Sequence, residues 1–227
     1  DVAMIYSEYP ASCAAMFTTN KFCAAPVILD REILKKGKAR AVVINSGNAN
    51  AATGEQGIKN AKLVETEAEK LLGLGEDEVF VCSTGVIGQQ LPVEKVLEGV
   101  RRIAPDMSAD KGSEAAWAIM TTDLVRKETA LELELSGGTI RIGACAKGSG
   151  MIHPNMATML AFYTTDAAVS PALLEKALKT VVPGTYNQMS VDLDTSTNDT
   201  LIIMASGLAG NPEITEENAD YDAFVAA

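Results

Sequence analysis

Thr158 stands where a threonine could act as a nucleophile. It follows a loop that carries Lys147 and precedes an apolar segment, residues 159–162, that is typical of a buried strand. A threonine hydroxyl is a weak nucleophile unless a base lies beside it. If the Thr158 hydroxyl attacked the carbonyl of Ala157 and the peptide opened through an ester, the new α-amine, with an ordinary pKa of about 8, would be that base. From spacing alone, a capping or strand-edge threonine remains the simpler interpretation.

The rare residues limit other kinds of chemistry. His153 is the one histidine, which excludes a zinc site built from two or three histidines and leaves one candidate base for a Ser-His-Asp or Cys-His arrangement. No pair of cysteines has a C-x-x-C spacing, so the sequence lacks the sign of a metal cluster or a thioredoxin-like site. The cysteines lie among Ala, Val or Ser, which favours buried, reduced thiols; they are Cys13, Cys23, Cys82 and Cys145.

Four loops are rich in small and polar residues, and two of them directly follow predicted strands, where α/β proteins place ligands. No P-loop and no G-x-G-x-x-G run is present, which disfavours nucleotide binding. The three aspartates of the last loop could suggest a Ca²⁺ or Mg²⁺ site, but the Gly and terminal Glu of an EF-hand are missing. A network of Asx and Ser/Thr turns is therefore favoured there. The loops are residues 45–50, 83–88, 147–151 and 192–199.

Strands and helices alternate along the chain, which predicts an α/β (α+β) fold with sheet covered by helices. Apolar or alternating runs predict strands, two of which flank a Ser-Gly-Gly turn as a hairpin. Apolar residues at helical spacing predict four helices, and the buried face of the first of them is expected to include Ile58, Ala61, Val64, Ala68 and Leu71. The predicted strands are residues 2–6, 40–45, 79–83, 129–135, 139–145, 159–162 and 200–204, and the predicted helices are residues 57–72, a segment behind Pro92, residues 109–120 and a segment opened by Ser170.

Composition narrows the class of protein. The chain has 227 residues, of which 47% are apolar and 22% charged, as in globular proteins. A net charge of −11 disfavours general binding to nucleic acid, which requires a basic excess. No run reaches the roughly 18 apolar residues of a membrane helix, and the residues given do not start with the charged-then-apolar pattern of a secretion signal. Asp1 follows no Met, and a helical pattern stops at Ala227, so we expect the residues to belong to a longer gene product.

Seven motifs in order along nearly the whole chain resemble those of the glutamate N-acetyltransferase, or ornithine acetyltransferase, family of arginine biosynthesis. This number of blocks makes the resemblance specific and reverses the simpler interpretation of Thr158. The motifs are residues 17–20 (FTTN), 43–51 (VINSGNANA), 83–88 (STGVIG), 120–123 (MTTD), 147–152 (KGSGMI), 154–160 (PNMATML) and 192–200 (DLDTSTNDT).

The resemblance implies a fold and an activity. Layered sheets covered by helices are expected, as in ornithine acetyltransferases and self-cleaving aminopeptidases. The precursor is expected to cleave itself between Ala157 and Thr158 into an α chain, residues 1–157, and a β chain that starts at residue 158 and runs to residue 227 here. Thr158 would then take the acetyl group of N-acetylornithine as an ester and pass it to glutamate in a ping-pong cycle.

The resemblance also implies roles for particular residues. Thr84 and Gly85 match the oxyanion hole of the family, while Thr121, Lys147 and Thr158 match positions that contact substrate. No metal and no separate cofactor is expected, although some members of the family also use acetyl-CoA. Neither nucleic acid nor a membrane is an expected partner. The expected assembly is a cytoplasmic heterotetramer of two α and two β chains.

Two alternatives to the acetyltransferase remain open from the sequence. Members of the family begin before Asp1 and continue beyond Ala227 with elements that complete the substrate pocket, so this chain is expected to be incomplete at both ends. One alternative is a related self-cleaving aminopeptidase or amidase that releases the acyl group to water. The other is an inactive fragment that folds but does not cleave.

Overall fold

A computed structural model describes residues 1–153 and 159–227. Local sequence explains much of this structure. β-branched and apolar runs form strands, and several helices have a proline in their first turn or an Asx cap, such as Pro171 and Asn218. The strands are β1 (Val2–Phe17), β2 (Lys38–Asn48), β3 (Val79–Val86), β4 (Lys127–Leu135), β5 (Gly138–Lys147), β6 (Leu160–Thr165) and β7 (Thr200–Ala205). The helices are α1 (Ala25–Ile33), α2 (Gly54–Leu72), α3 (Val93–Ile103), α4 (Gly112–Ala118), α5 (Pro171–Val181) and α6 (Ala219–Ala226).

The strands form one seven-stranded sheet in the order β3-β2-β1-β7-β6-β5-β4. Two pairs of neighbours are parallel, β2 with β3 and β6 with β7, and the other pairs are antiparallel. The long strand β1 joins the two halves, because its first part pairs with β2 and its last part with β7. The pairing of β1 with β2 shifts register between Tyr6 and Ala11, an irregularity of the kind that bends strands.

The sheet folds over at β1, so that its two halves face each other. Thr84 on β3 and Lys147 on β5 are five strands apart in the sheet order, which in a flat sheet is about 24 Å. Their side chains are instead joined by a hydrogen bond of 2.9 Å. Apolar side chains of both halves, among them Phe80 and Phe162, belong to the same buried cluster. The core therefore includes a layer enclosed between the two half-sheets.

Helices cover the outer faces of both half-sheets. On the first half, Val43 and Val81 pack in one cluster with residues of α2 and α3. On the second half, Leu201 and Ile203 pack with residues of α5 and α6. The arrangement is four layers, helix–sheet–sheet–helix, which confirms the predicted layered sheets covered by helices. Within the ranges 1–153 and 159–227, no helix combines the length and apolar character that crossing a bilayer requires.

The predicted strands and helices are present, although some bounds differ: the helix predicted over residues 109–120 is a 3-10 turn at Ala109–Lys111 followed by α4. The β4–β5 hairpin turns at Ser136 and Gly137, as expected. The buried face of α2 was predicted correctly in part: Ala61, Val64 and Ala68 are buried as expected. Leu71, however, is exposed and Ile58 is only half-buried, whereas Glu65 is fully buried. The helix α1 was not predicted, and its contact with α2 explains the buried polar position on that face.

Candidate functional site

The ends of β2 and β3 form one side of the site. Gly85 has a φ of +133°, and a Cβ there would lie 2.3 Å from the carbonyl carbon of Gly47. Only glycine permits this approach of the two strand ends, because an added side-chain atom would overlap the neighbouring backbone. Thr84, directly before it, is buried. The sequence STG therefore fixes a close-packed backbone at the end of a core strand.

Lys147 reaches this strand end from the opposite half-sheet. It is the last residue of β5, its side chain is only 3% exposed, and its Nζ donates to the hydroxyl oxygen of Thr84 over 2.9 Å. Burial lowers the pKa of Lys147, with the charge of Lys127 acting in the same direction, while Asp123 and Asp199 act against it. A buried ammonium group beside Thr84 can attract a carboxylate or a developing oxyanion.

Asp123 ties the loop that contains Thr121 to the loop after Lys147. Its Oδ1 accepts the backbone N–H of Gly148 over 2.8 Å, and its Oδ2 accepts that of Thr121 over 3.4 Å. An ion pair with Lys127 is formed on the same carboxyl. Burial alone would raise the pKa of Asp123, but Lys127 and the backbone donors lower it overall. The exposed Thr121 is thereby held next to the loop that follows Lys147.

Asn198 joins three of the four polar loops. Its Nδ2 donates to the carbonyl oxygens of Ala49 over 2.6 Å and Ser83 over 2.8 Å. Its Oδ1 accepts the hydroxyl of Thr197 over 2.5 Å. A separate bond from the Ser83 hydroxyl to Asn45 closes the network between β2 and β3. The loops predicted to carry function thus meet at one end of the folded sheet.

The aspartates of the last loop act as turn and anchor groups. Asp192 accepts the backbone N–H groups of Met151 and Asp194, as the prediction of an Asx network requires. Asp194 is exposed, whereas Asp199 is completely buried. Among residues 1–153 and 159–227, no group of three or more His, Cys, Asp or Glu side chains is arranged to hold a metal ion.

Asp199 directly precedes β7, and its side chain contacts Met159, the residue before β6. Its Oδ1 accepts the backbone N–H of Met159 over 2.9 Å, and its own carbonyl accepts the N–H of Thr18 over 2.8 Å. Burial raises the pKa of Asp199 to about 8, although the Met159 N–H, the Ser196 hydroxyl and the charge of Lys147 favour the ionised form. The carboxyl is therefore mostly protonated at pH 7.

A cavity of about 330 Å³ opens beside this strand end. Lys147 and Met159 contribute to its wall, together with Tyr163 and Tyr186, whose hydroxyls are 2.7 Å apart. The rest of the lining is largely apolar, with Cys145 and Met189 among its residues. Its volume is at the lower end of the range typical of small-molecule sites.

The structure brings together Thr84, Gly85 and Lys147, three of the residues proposed from the sequence. Thr121 is placed on an adjoining loop through Asp123. Ala157 and Thr158, the proposed cleavage pair and nucleophile, lie outside the described residues. Their roles and the α/β chain boundary therefore stay predictions.

Sequence reasoning missed Asp123, Asn198 and Asp199 as site residues. All three lie inside motifs that carry the resemblance, so the motifs could have indicated them. No residue spacing in the sequence identifies the groups that they contact. His153, to which no role was assigned, is half-buried, and its Nδ1 has no hydrogen-bond partner within residues 1–153 and 159–227.

The thiols agree in part with their predicted state. No disulfide joins the four cysteines, all of which belong to the described part of the chain. Cys13 and Cys82 are buried, while Cys23 and Cys145 are partly exposed. Burial raises the pKa of Cys13 to about 12 and that of Cys145 to about 11, which suppresses the thiolate form needed for nucleophilic chemistry.

Comparison with known proteins decides the family. The model of the ArgJ family matches residues 1–227. The chain belongs to the ArgJ family. It is 54% identical over 227 residues to the arginine biosynthesis bifunctional protein ArgJ of Caldanaerobacter subterraneus, and this match covers 100% of the chain and 56% of that relative. The chain thus spans about half the length of the curated relatives that it matches.

Solved structures of the family are similar in fold. ArgJ from Bacillus halodurans is 41% identical with a TM-score of 0.65, over 69% of this chain and 83% of that one. The ornithine acetyltransferase of Mycobacterium tuberculosis, solved in complex with ornithine, is 39% identical with a TM-score of 0.62, over 68% and 82% of the two chains.

A more distant likeness concerns the fold alone. An L-aminopeptidase D-Ala-esterase/amidase from Ochrobactrum anthropi, described as a variant of the Ntn hydrolase fold, has a TM-score of 0.55 at 14% identity. The match covers 99% of this chain and 74% of that one. The two kinds of enzyme named in the sequence-based expectation therefore share this architecture.

Proposed function

We propose that this chain carries the acetyl-transfer site of a glutamate N-acetyltransferase, which moves the acetyl group of N-acetylornithine to glutamate. The observation that supports this most directly is the contact between Lys147 and Thr84, because it joins the proposed substrate-binding lysine to the proposed oxyanion hole. The anchoring of Met159 by Asp199 brings the residue after the proposed nucleophile to the same end of the sheet. Family membership supports the same reaction.

Self-cleavage prepares the nucleophile. The hydroxyl of Thr158 attacks the carbonyl carbon of Ala157, the peptide C–N bond breaks, and water opens the resulting ester. Residues 1–157 then end in a carboxylate, and Thr158 gains a free α-amine. This amine acts as the base, so the single histidine of the chain is not needed in that role.

Acetyl transfer follows in two steps. The Thr158 hydroxyl attacks the acetyl carbonyl and passes its proton through the α-amine to the departing nitrogen of ornithine, leaving an acetyl ester. The amine of glutamate then attacks this ester, the C–O bond breaks, and the proton returns to the Thr158 oxygen. Thr84 and Gly85 stabilise the tetrahedral oxyanion in both steps, and Lys147 adds a buried positive charge.

Substrate binding is assigned to Thr121, Lys147 and Thr158, beside the cavity of about 330 Å³. Ornithine is bound in the structure of the M. tuberculosis relative, which supports an ornithine-derived substrate for this chain. We propose no resident cofactor and no metal, with acetyl-CoA as a further acetyl donor. The proposed assembly is a cytoplasmic heterotetramer of two α and two β chains.

The test uses the complete gene product that contains these residues. Denaturing mass spectrometry should show a new chain that begins Thr-Met-Leu, and the Thr158→Ala variant should remain uncut and transfer no acetyl group. Purified protein should transfer acetyl from N-acetylornithine to glutamate faster than to water. Hydrolysis without transfer would indicate the amidase alternative, and folded protein that never cleaves would indicate the inactive one.

A further inference from the structure

The two oxygens of the buried Asp199 carboxyl differ in their hydrogen bonding. It is completely buried, and its Oδ1 accepts the Met159 N–H over 2.9 Å. The Ser196 hydroxyl lies near enough to favour the ionised carboxyl, but among residues 1–153 and 159–227 no group forms a well-aligned hydrogen bond with its Oδ2. A buried polar atom left without a partner costs free energy, so a carboxyl at this position needs a reason beyond packing.

The position of Met159, whose N–H this carboxyl binds, supplies that reason. Met159 directly follows Thr158 in the chain, so a bond to its N–H fixes the backbone one residue from the proposed nucleophile. The charge of Lys147 acts on the same carboxyl by favouring its ionised form, and Lys147 contacts Thr84. Asp199 is thus connected to Met159, the residue that follows the proposed nucleophile in the chain, and through Lys147 to the proposed oxyanion hole.

The backbone of Asp199 is itself held firmly. Its carbonyl accepts the N–H of Thr18, and the Thr18 hydroxyl donates to the carbonyl of Ser196 over 2.7 Å. On its other side, Asn198 is fixed to the carbonyls of Ala49 and Ser83. A side chain mounted on such a rigid support can transmit its position to its hydrogen-bond partner.

We propose that Asp199 is a positioning residue of the acetyl-transfer site, which uses its Oδ1 to hold the Met159 backbone so that the adjacent Thr158 hydroxyl is aligned for attack. The inference rests on the proposed function, because it concerns the same nucleophile. Small misplacements of a nucleophile reduce rates strongly, whereas substrate affinity depends on other contacts. Loss of the anchor should therefore lower kcat and leave KM nearly unchanged.

Two substitutions separate anchoring from charge. Asp199→Asn keeps an oxygen that can accept the Met159 N–H, while Asp199→Leu keeps similar bulk and removes the acceptor. We expect Asp199→Asn to cleave and transfer within about threefold of the parent at pH 7, where the parent carboxyl is mostly neutral. Asp199→Leu should lose about tenfold or more in kcat at similar KM. Asp194→Leu, in the same loop but exposed, is the matched control and should behave as the parent.

The readouts distinguish positioning from a general loss of folded protein. Rates are divided by the fraction of subunits that become acetylated, measured by mass spectrometry, so inactive molecules do not lower the apparent kcat. An Asp199→Leu variant that transfers acetyl as fast as the parent overturns the proposal. So does an Asp199→Asn variant as defective as Asp199→Leu, since the acceptor oxygen is then not the feature that matters.

A measurement on the unsubstituted protein keeps the proposal testable if Asp199→Leu does not fold. The Met159 amide should exchange its hydrogen slowly, because it is bonded to a buried carboxyl. Exchange at the rate of an open chain would contradict the anchor. A parent that neither cleaves nor transfers would refute the proposed function, while slow exchange at Met159 would still establish the anchor.

Discussion

At the scale of single residues, the close approach of Gly85 to Gly47 is the tightest requirement of the site. The two backbones meet where a Cβ on Gly85 would lie 2.3 Å from the Gly47 carbonyl carbon. The φ of +133° at Gly85 is also a conformation that residues with a side chain rarely adopt. Both constraints act on the peptide groups proposed to bind the oxyanion.

We therefore expect Gly85→Ala to lower acetyl transfer by about a hundredfold or more, the magnitude typical of losing one oxyanion donor. The alanine must push β2 and β3 apart or change the local backbone, which moves the donors away from the developing charge. Steady-state transfer kinetics test this, with unfolding curves to show that the variant is folded. Gly112→Ala is the control, because a Cβ at Gly112 meets nothing within 4 Å. Equal rates for the two variants would contradict the assignment.

The sequence predicted some residues of the site and not others for a physical reason. Thr84, Gly85 and Lys147 belong to short motifs at strand ends, where local sequence reveals their place. Asp199 acts through the N–H of Met159, forty residues away along the chain, and no periodic pattern indicates such a pairing. Thr158 and Ala157 lie outside the described residues, so their prediction still rests on the resemblance.

At the scale of elements, Asp30 attaches α1 to the outer edge of β3. Its Oδ1 accepts the backbone N–H of Val81 over 2.8 Å, and the Cys82 thiol lies 3.7 Å from its Oδ2. Burial raises the pKa of Asp30 well above its ordinary value, and the charge of nearby Glu65 adds to this. Asp30 therefore keeps its proton to a higher pH than an ordinary aspartate does.

Removing this attachment should destabilise the fold. We expect Asp30→Ala to lower the free energy of unfolding by about 1–3 kcal/mol, because it leaves the Val81 N–H buried without an acceptor. Asp30→Asn retains an acceptor oxygen and should lie much closer to the parent at neutral pH. Urea denaturation of both variants measures the difference. Equal losses for Ala and Asn would show that the hydrogen bond to Val81 is not what stabilises this edge.

The same carboxyl should give the protein a specific pH dependence. Since the folded-state pKa of Asp30 is raised, its stabilising contribution is complete below the unfolded pKa of about 3.9 and declines as the pH rises toward the folded value. The Asp30→Asn variant lacks this titration. Its unfolding free energy relative to the parent should therefore increase with pH, and a difference that stays constant would contradict the raised pKa of Asp30.

The order of the elements was predictable, but their path in space was not. Alternating and apolar runs located the strands because burial on one or two faces sets those patterns. The fold at β1 was not predicted, since it depends on a register shift near residues 6–11 and on contacts such as Lys147 with Thr84. The helix α1 was missed as well: it is short and its apolar stripe includes Asp30, which is buried for its bond to Val81.

At the scale of the whole molecule, the proposed cut passes between strands that the sheet holds together. Residues 1–157 contain β1 to β5, whereas β6 and β7 follow Thr158. In the sheet, β7 pairs with β1 and β6 pairs with β5, so the second segment lies between strands of the first. Leu201 and Ile203 also share a buried cluster with Ile140 and Ile142.

Cleavage at Ala157–Thr158 should therefore leave the two chains associated. Separating them requires breaking the ladders on both sides of the β6–β7 pair and exposing the core between the half-sheets, which amounts to unfolding. Native size-exclusion chromatography should give one peak that denaturing mass spectrometry resolves into two chains. Thr158→Ala protein should elute at the same native volume and show one chain in denaturant. If the segment that begins at Thr158 elutes alone under native conditions, the two segments do not share one sheet.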